Sequence, residues 1–141
     1  MLTPLGALRA QGYRAVGGHS AVKVCHWAKE ALTGGEMCYK AKFYGISSHR
    51  CLQMSPAAVW CTNACRYCWR LLPGENGSAG AGGAMGAEDD PAYIAEQSVA
   101  AQRRLLNGFK GHPKVDMARF AEAMDPRNVA ISLSGEPTMY S

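Results

Sequence analysis

The chain has 141 residues, of which 48% are hydrophobic and 18% are charged, a composition normal for a single globular domain. It has no apolar run of 18 residues, which argues against a membrane span, and its N-terminus lacks the basic start and apolar core of a signal peptide. We therefore expect a cytoplasmic protein with no membrane partner. The net charge of +4 permits an anionic partner such as RNA without requiring one.

The first half of the chain predicts one helix and one strand. Residues 19–32 predict a short helix that ends at Gly34. Residues 38–51 are rich in aromatic and cationic side chains and indicate an ordered loop or a short strand. Residues 52–60 predict a buried strand, which Pro56 weakens because proline cannot donate a hydrogen bond to a sheet.

The second half of the chain alternates between helix and strand. Residues 74–87 contain six glycines and predict a flexible insert. A helix is expected to begin at Pro91, which suits a first turn, and to end at Gly108. A second helix is expected over 115–124, followed by a buried strand of a parallel sheet over 128–133. The order strand, cysteine loop, helix, helix, strand predicts an α/β fold.

Three of the six cysteines lie close together as Cys61-x-x-x-Cys65-x-x-Cys68. In a chain without a signal peptide, such a group indicates metal binding rather than disulfides. Three cysteines leave one iron of a 4Fe–4S cluster open, and S-adenosylmethionine can fill that position with its amino and carboxylate groups. The alternative is a zinc site in which His49 or Cys51 supplies the fourth ligand.

The CxxxCxxC pattern resembles that of the radical S-adenosylmethionine superfamily. The resemblance implies that Tyr67, just before the last cysteine, lies beside the adenine of the cofactor. It also implies that Ser134, Gly135 and Glu136 correspond to the GGE motif that holds the methionyl amino group. Residue 134 is Ser instead of Gly, a change that leaves the backbone contact available.

Cys25, Cys38 and Cys51 follow one another at intervals of thirteen residues. This spacing alone leaves open whether they are small buried hydrophobic residues or ligands of a second cluster. The segments HSAVKVCHWAKEAL, FYGISSHRCLQM, CWR and NVAISLSGEPTMYS resemble the tRNA 4-demethylwyosine synthases in their archaeal, single-domain form. The resemblance implies that these three cysteines hold a second 4Fe–4S cluster. It also implies that Lys40, or Lys42 as the second choice, forms a Schiff base with pyruvate.

This family resemblance implies the N-terminal part of a partial (βα)6 radical-SAM barrel, truncated after the second core strand. Residues 1–51 are expected to form an extension that carries the second cluster, and residues 52–141 the start of the core. The implied lyase reaction belongs to wybutosine biosynthesis: a radical formed from S-adenosylmethionine removes hydrogen from the methyl group of 1-methylguanosine in tRNA(Phe), and pyruvate is then added to give 4-demethylwyosine. We expect an external electron donor, a monomer when the chain is complete, and little activity from this piece alone.

Two further expectations concern the substrate and the competing functions. Tyr44 and Trp69 are candidates for stacking an extruded base or for core packing. The alternatives to a tRNA-modifying enzyme are a radical enzyme acting on a peptide or small molecule and a non-catalytic zinc module that binds RNA. The basic residues that are candidates for phosphate contacts are Lys42, His49, Arg50, Arg70, Arg103, Arg104, Lys110 and Lys114.

Overall fold

A computed structural model describes residues 8–58, 60–63, 65–66 and 86–140. The helices and strands are, in chain order, β1 (Arg14–Val16), β2 (Ser20–Val22), α1 (His26–Leu32), α2 (Tyr39–Tyr44), β3 (Cys51–Ser55), α3 (Pro91–Asn107), α4 (Met117–Ala123) and β4 (Asn128–Ile131). Single turns of 3-10 helix lie before β3 at Ser48–Arg50 and after β4 at Pro137–Met139. None of the helices in these ranges is long and apolar enough to cross a membrane.

One mixed sheet organises the fold, with its strands in the order β1-β2-β3-β4. The pairs β1–β2 and β2–β3 are antiparallel, whereas β3 and β4 are parallel, with Cys51 opposite Asn128 and Met54 opposite Ile131. Helix α3 packs on β1, β2 and β3 through an apolar core. The predicted α/β class is confirmed. The barrel, its truncation and the division at residue 51 stay predictions.

The prediction of one helix over residues 19–32 is wrong in its first half. Residues Ser20–Val22 form β2, and helix α1 begins only at His26. All three residues of β2 are buried, because the strand pairs with β1 on one side and β3 on the other. A strand of three buried residues has no alternation of polar and apolar positions, so its pattern resembles that of a buried helix.

The prediction of a loop or strand over residues 38–51 is wrong over residues 39–44. Helix α2 occupies Tyr39–Tyr44, and Gly45 ends it with a φ of 66°, the left-handed conformation common after a helix. The predicted strand over 52–60 is confirmed as β3, but it ends at Ser55. Beyond it the chain turns, because the Ser55 hydroxyl accepts the Ala57 N–H at 3.3 Å and the His19 carbonyl accepts the Ala58 N–H at 2.9 Å.

Helix α3 is confirmed from its predicted start. The Asp90 carboxylate accepts the Tyr93 N–H at 3.0 Å and caps the helix, and Pro91 occupies the first turn. The second predicted helix is confirmed as α4, two residues shorter at its start. There the Asp116 carboxylate accepts the N–H groups of Ala118 and Arg119 at 3.0 and 3.1 Å.

The last predicted strand is confirmed as parallel but is wrong in length and burial. It ends at Ile131, and the side chains of Val129 and Ile131 are 62% and 54% exposed. β4 lies at the edge of the sheet, and the described residues cover only one of its faces. Most of the predicted glycine-rich insert, residues 74–85, lies outside the described residues.

Candidate active site

Three cysteines from separate elements surround one pocket of about 200 Å³. Cys25 and Cys38 stand at the N-terminal ends of α1 and α2, and Cys51 is the first residue of β3. Ala130 and Ser132, from β4 and the residues after it, complete the wall on the far side. The even spacing of these cysteines in the sequence thus becomes a convergence in space, because each precedes or begins an element that starts at the pocket.

Lys40 lines the same pocket, whereas Lys42 does not. The Lys42 ammonium is exposed and lies 3.7 Å from the carboxylate of Glu36. Burial raises the pKa of the Cys51 thiol above its ordinary value, the nearby charge of Lys40 opposes that rise, and Cys25 and Cys38 add to it. The amine and all three thiols are therefore within electrostatic reach of one another.

The surroundings of the Cys38 thiol lower its pKa and so favour the thiolate. Burial alone would raise its pKa, but hydrogen bonds from the Ser48 hydroxyl and from the backbone of Ala41 and Lys40, with the Lys40 charge, lower the pKa overall. The Ser48 hydroxyl lies 3.2 Å from the Cys38 sulfur and also accepts the Cys38 N–H at 3.1 Å. Since the thiolate is the form that binds metal, this environment suits a ligand.

The three thiols around the pocket are a donor set that an iron–sulfur cluster could use. No three His, Cys, Asp or Glu side chains in the described ranges converge closely enough to hold one ion. A four-iron cluster spreads its thiolates farther apart than a single ion does, so three cysteines around a pocket are a suitable donor set for it. The five cysteines that the structure describes are also free thiols rather than disulfides.

His49, one of the two possible fourth ligands in the zinc alternative, is hydrogen-bonded to another side chain. His49 is buried, and its Nε2 donates to the Glu122 carboxylate at 2.6 Å. Its Nδ1 is buried without a hydrogen-bond partner in the described part of the chain. The same burial removes His49 from the candidates for contact with tRNA phosphates.

The second group of cysteines is described only in part. The Cys61 sulfur accepts the Asn63 N–H at 3.4 Å, an arrangement that places a backbone dipole against the thiol, and Cys65 is exposed. Cys68 and Tyr67 lie outside the described residues, as do Trp69 and Arg70. The predicted cluster site of Cys61, Cys65 and Cys68 therefore stays a prediction.

The segment Ser134–Glu136 lies directly against the residues that lead into this cysteine loop. The Ser134 hydroxyl donates to the Ala58 carbonyl at 2.7 Å, and the Glu136 N–H donates to the Trp60 carbonyl at 2.7 Å. Gly135 has a φ of 89°, and a Cβ at that position would collide with the Ala57 carbonyl oxygen. The motif thus approaches the cysteine loop backbone to backbone, and only glycine permits that approach at position 135.

The Glu136 carboxylate is held by the chain itself. It accepts from the Thr138 hydroxyl and N–H at 2.8 and 3.1 Å and from the Asn63 side-chain amide at 3.2 Å. These hydrogen bonds, that of the Thr138 hydroxyl first, lower the pKa of the carboxyl group. An ionised carboxylate therefore stands beside the loop that carries Cys61 and Cys65.

Sequence reasoning missed His19, which joins the turn after β3 to the residues before α3. Its buried ring donates from Nδ1 to the Pro56 carbonyl at 2.5 Å and accepts the Asp89 N–H at Nε2 at 3.1 Å. Tyr140 stacks on the ring and donates its hydroxyl to the Asp89 carbonyl at 2.6 Å. No motif marks this histidine, because its partners are 37 to 70 positions away.

Some basic residues predicted to meet tRNA are engaged within the chain. Arg50 pairs with the Asp125 carboxylate at 2.6 Å, and Arg103 donates to the Met124 carbonyl at 2.6 Å. Tyr44 is 72% exposed, so its alternative as a core residue is wrong. The other described candidates for phosphate contacts are exposed, namely Lys42, Arg104, Lys110 and Lys114.

Comparison with known proteins shows strong similarity to one group of enzymes. The chain is 56% identical over 137 residues to the S-adenosyl-L-methionine-dependent tRNA 4-demethylwyosine synthase of Pyrococcus horikoshii, covering 94% of this chain and 37% of that protein. The identity to the enzyme of the same name from Methanocaldococcus jannaschii is 41% over 134 residues, with coverages of 94% and 43%. No family model matches the chain.

The solved structures agree with the curated relatives. A structure of TYW1 with a lysine-pyruvate adduct bound superposes with a TM-score of 0.81 at 38% identity, over 95% of this chain and 42% of that one. A crystal structure of archaeal TYW1 superposes with a TM-score of 0.76 at 35% identity, over 99% of this chain and 45% of that one. The chain is therefore homologous over nearly its whole length to the tRNA 4-demethylwyosine synthases, although it spans only about two-fifths of the length of the archaeal relatives it matches.

Proposed function

We propose that this chain forms part of a radical S-adenosylmethionine enzyme that joins pyruvate to 1-methylguanosine in tRNA(Phe) to give 4-demethylwyosine. The observation that carries the proposal is the shared pocket of Lys40, Cys25, Cys38 and Cys51. A structure of TYW1, which superposes on this chain, has a lysine-pyruvate adduct bound. The position of Lys40 in the pocket lined by the three cysteines supports this role.

Two 4Fe–4S clusters are part of the proposal. Cys25, Cys38 and Cys51 would hold one, and Cys61, Cys65 and Cys68 would hold the other. When bound, the second of these supplies an electron to S-adenosylmethionine, which is the source of the radical. An external electron donor is then needed.

The residues of the chain have separate tasks in this proposal. The neutral amine of Lys40 attacks the ketone of pyruvate, and loss of water leaves a carbon–nitrogen double bond that holds the substrate in the pocket. The Ser134–Glu136 segment and Tyr67 bind S-adenosylmethionine, with the ionised Glu136 near the methionyl amino group. The tight backbone contact at Gly135 keeps that segment in register with the cysteine loop.

The test separates Lys40 from Lys42 by covalent trapping. The chain is reconstituted anaerobically with iron and sulfide, incubated with labelled pyruvate, and reduced with borohydride before peptide mapping. Label is expected on Lys40, lost in Lys40→Arg and retained in Lys42→Arg, the matched control. Label on Lys42, or no label in a chain that holds its iron, would contradict the assignment.

The clusters are tested by metal content. The reconstituted chain should bind about eight irons, and the triple change of Cys61, Cys65 and Cys68 to Ala should leave about four. Zinc in place of iron would favour the non-catalytic zinc module, whereas loss of all iron from a folded triple variant would overturn the assignment of two clusters.

A further inference from the structure

Helix α2 exposes three aromatic side chains, and the first of them also lines the pocket. Tyr39, Phe43 and Tyr44 are 59%, 77% and 72% exposed, and we call them the aromatic platform. Tyr39 also lines the pocket, next to Lys40. Tyr39 and Phe43 are four residues apart on the helix, so their rings lie on one face.

The aromatic platform contributes little to the stability of the described fold. Burying a phenylalanine side chain stabilises a protein by about 1.5–3 kcal/mol, a gain that Phe43 forgoes at 77% exposure. A group of exposed large apolar side chains beside a pocket indicates a binding surface. Lys40 and Lys42 lie between Tyr39 and Phe43 in the same helix, so cationic side chains stand beside the rings. The exposed Lys42 ammonium also lies 3.7 Å from the Glu36 carboxylate.

This combination suits unpaired nucleotides better than an apolar protein partner. Bases of any identity stack on aromatic rings, and neighbouring cations attract the phosphates that join them. Chemistry on a base requires that base to leave its stack, which deprives its neighbours of stacking partners as well. Aromatic rings at the rim of a pocket can replace those lost contacts.

We infer that the aromatic platform stacks unpaired nucleotides of the tRNA anticodon loop that flank the base held at the pocket. This inference rests on the proposed function, because it takes tRNA as the substrate. In this inference Phe43 and Tyr44 bind RNA, whereas Lys40 binds pyruvate.

The test measures binding of a fluorescently labelled anticodon stem–loop carrying 1-methylguanosine to the reconstituted chain, by anisotropy over a range of salt concentrations. Phe43→Ala and Tyr44→Ala should each weaken binding about ten-fold, the loss expected for one stacked base. The slope of log K against log salt should not change in these variants. Phe43→Trp should keep the affinity, since it keeps an aromatic face.

Two controls distinguish stacking from general effects. Tyr93→Ala removes a ring that is 47% exposed on a different helix and should leave binding unchanged. Lys42→Ala should lower the salt slope by about 0.7, the value for one phosphate contact on a single strand. Circular dichroism of each variant confirms that the fold is kept.

The possible outcomes test the aromatic platform separately from the proposal that tRNA is the substrate. If the unsubstituted chain does not bind the stem–loop, the tRNA proposal and the aromatic platform are both overturned. If it binds and Phe43→Ala binds equally well, only the platform is overturned. A dimer in sedimentation that Phe43→Ala dissociates would show that a second copy occupies this face, which also overturns the inference.

Discussion

Gly135 offers the sharpest test of how the site is built. Replacing it by alanine introduces two separate penalties. The first is backbone strain, because a φ of 89° is unfavourable for any residue with a Cβ, by about 1–2 kcal/mol. The second is steric, because the new Cβ would collide with the Ala57 carbonyl, and forcing such a contact costs about 1–3 kcal/mol more.

Gly34→Ala is the matched control for this change. Gly34 has a similar φ of 81° but no atom within 4 Å of the position of its Cβ, so it carries the strain alone. Urea unfolding followed by circular dichroism should show a loss of about 1–2 kcal/mol for Gly34→Ala and about 2–5 kcal/mol for Gly135→Ala. Equal losses in the two variants would refute the tight backbone approach between residues 57 and 135.

Three further predictions concern stability. Asp116→Ala removes the acceptor of two N–H groups at the start of α4 and should cost about 1 kcal/mol in the free energy of unfolding, measured with urea. Leu106→Ala empties a fully buried position and should cost about 2–5 kcal/mol, so a loss below 1 kcal/mol would contradict the described core. The hydrogen bond from Arg127 and the charge of Arg50 lower the pKa of Asp125 below its ordinary value of 3.8, so its stabilising effect is present above that pH and is lost as the pH falls further. Asp125→Asn should therefore flatten the fall of stability with pH below about 4, and an unchanged acid titration of unfolding would disprove the pairing.

The sequence predicted the elements whose signals are local. Helix α3 follows from Asp90 as its cap and Pro91 in its first turn, and both occupy those positions. Strand β2 was missed because its three residues owe their strand form to pairing on both sides, which no local pattern encodes. Helix α2 was missed because its aromatic side chains face outward, so it shows no apolar face toward the core.

The candidate site was predictable where the chemistry resides in residue types and unpredictable where it depends on long-range contacts. The cysteines and Lys40 were predicted as site residues from spacing and family resemblance, and Lys40 lines one pocket with three of the cysteines. The hydroxyl of Ser48 and the ring of His19 were not identified, since their roles arise only when distant segments meet. The exposure of β4 was mispredicted because an apolar strand pattern does not reveal whether both faces of the sheet are covered.

The residues that line the pocket come from both halves of the chain, so the pocket is completed late in translation. Cys25, Cys38 and Cys51 leave the ribosome early, but Ala130 and Ser132 follow Cys51 by roughly 80 residues. At a translation rate of about 5–20 residues per second, about 4–16 s pass between synthesis of Cys51 and synthesis of the last residues that line the pocket. Oxidants and competing metals can therefore reach these thiols before the pocket is complete, and the yield of correctly loaded protein should depend on the speed of synthesis.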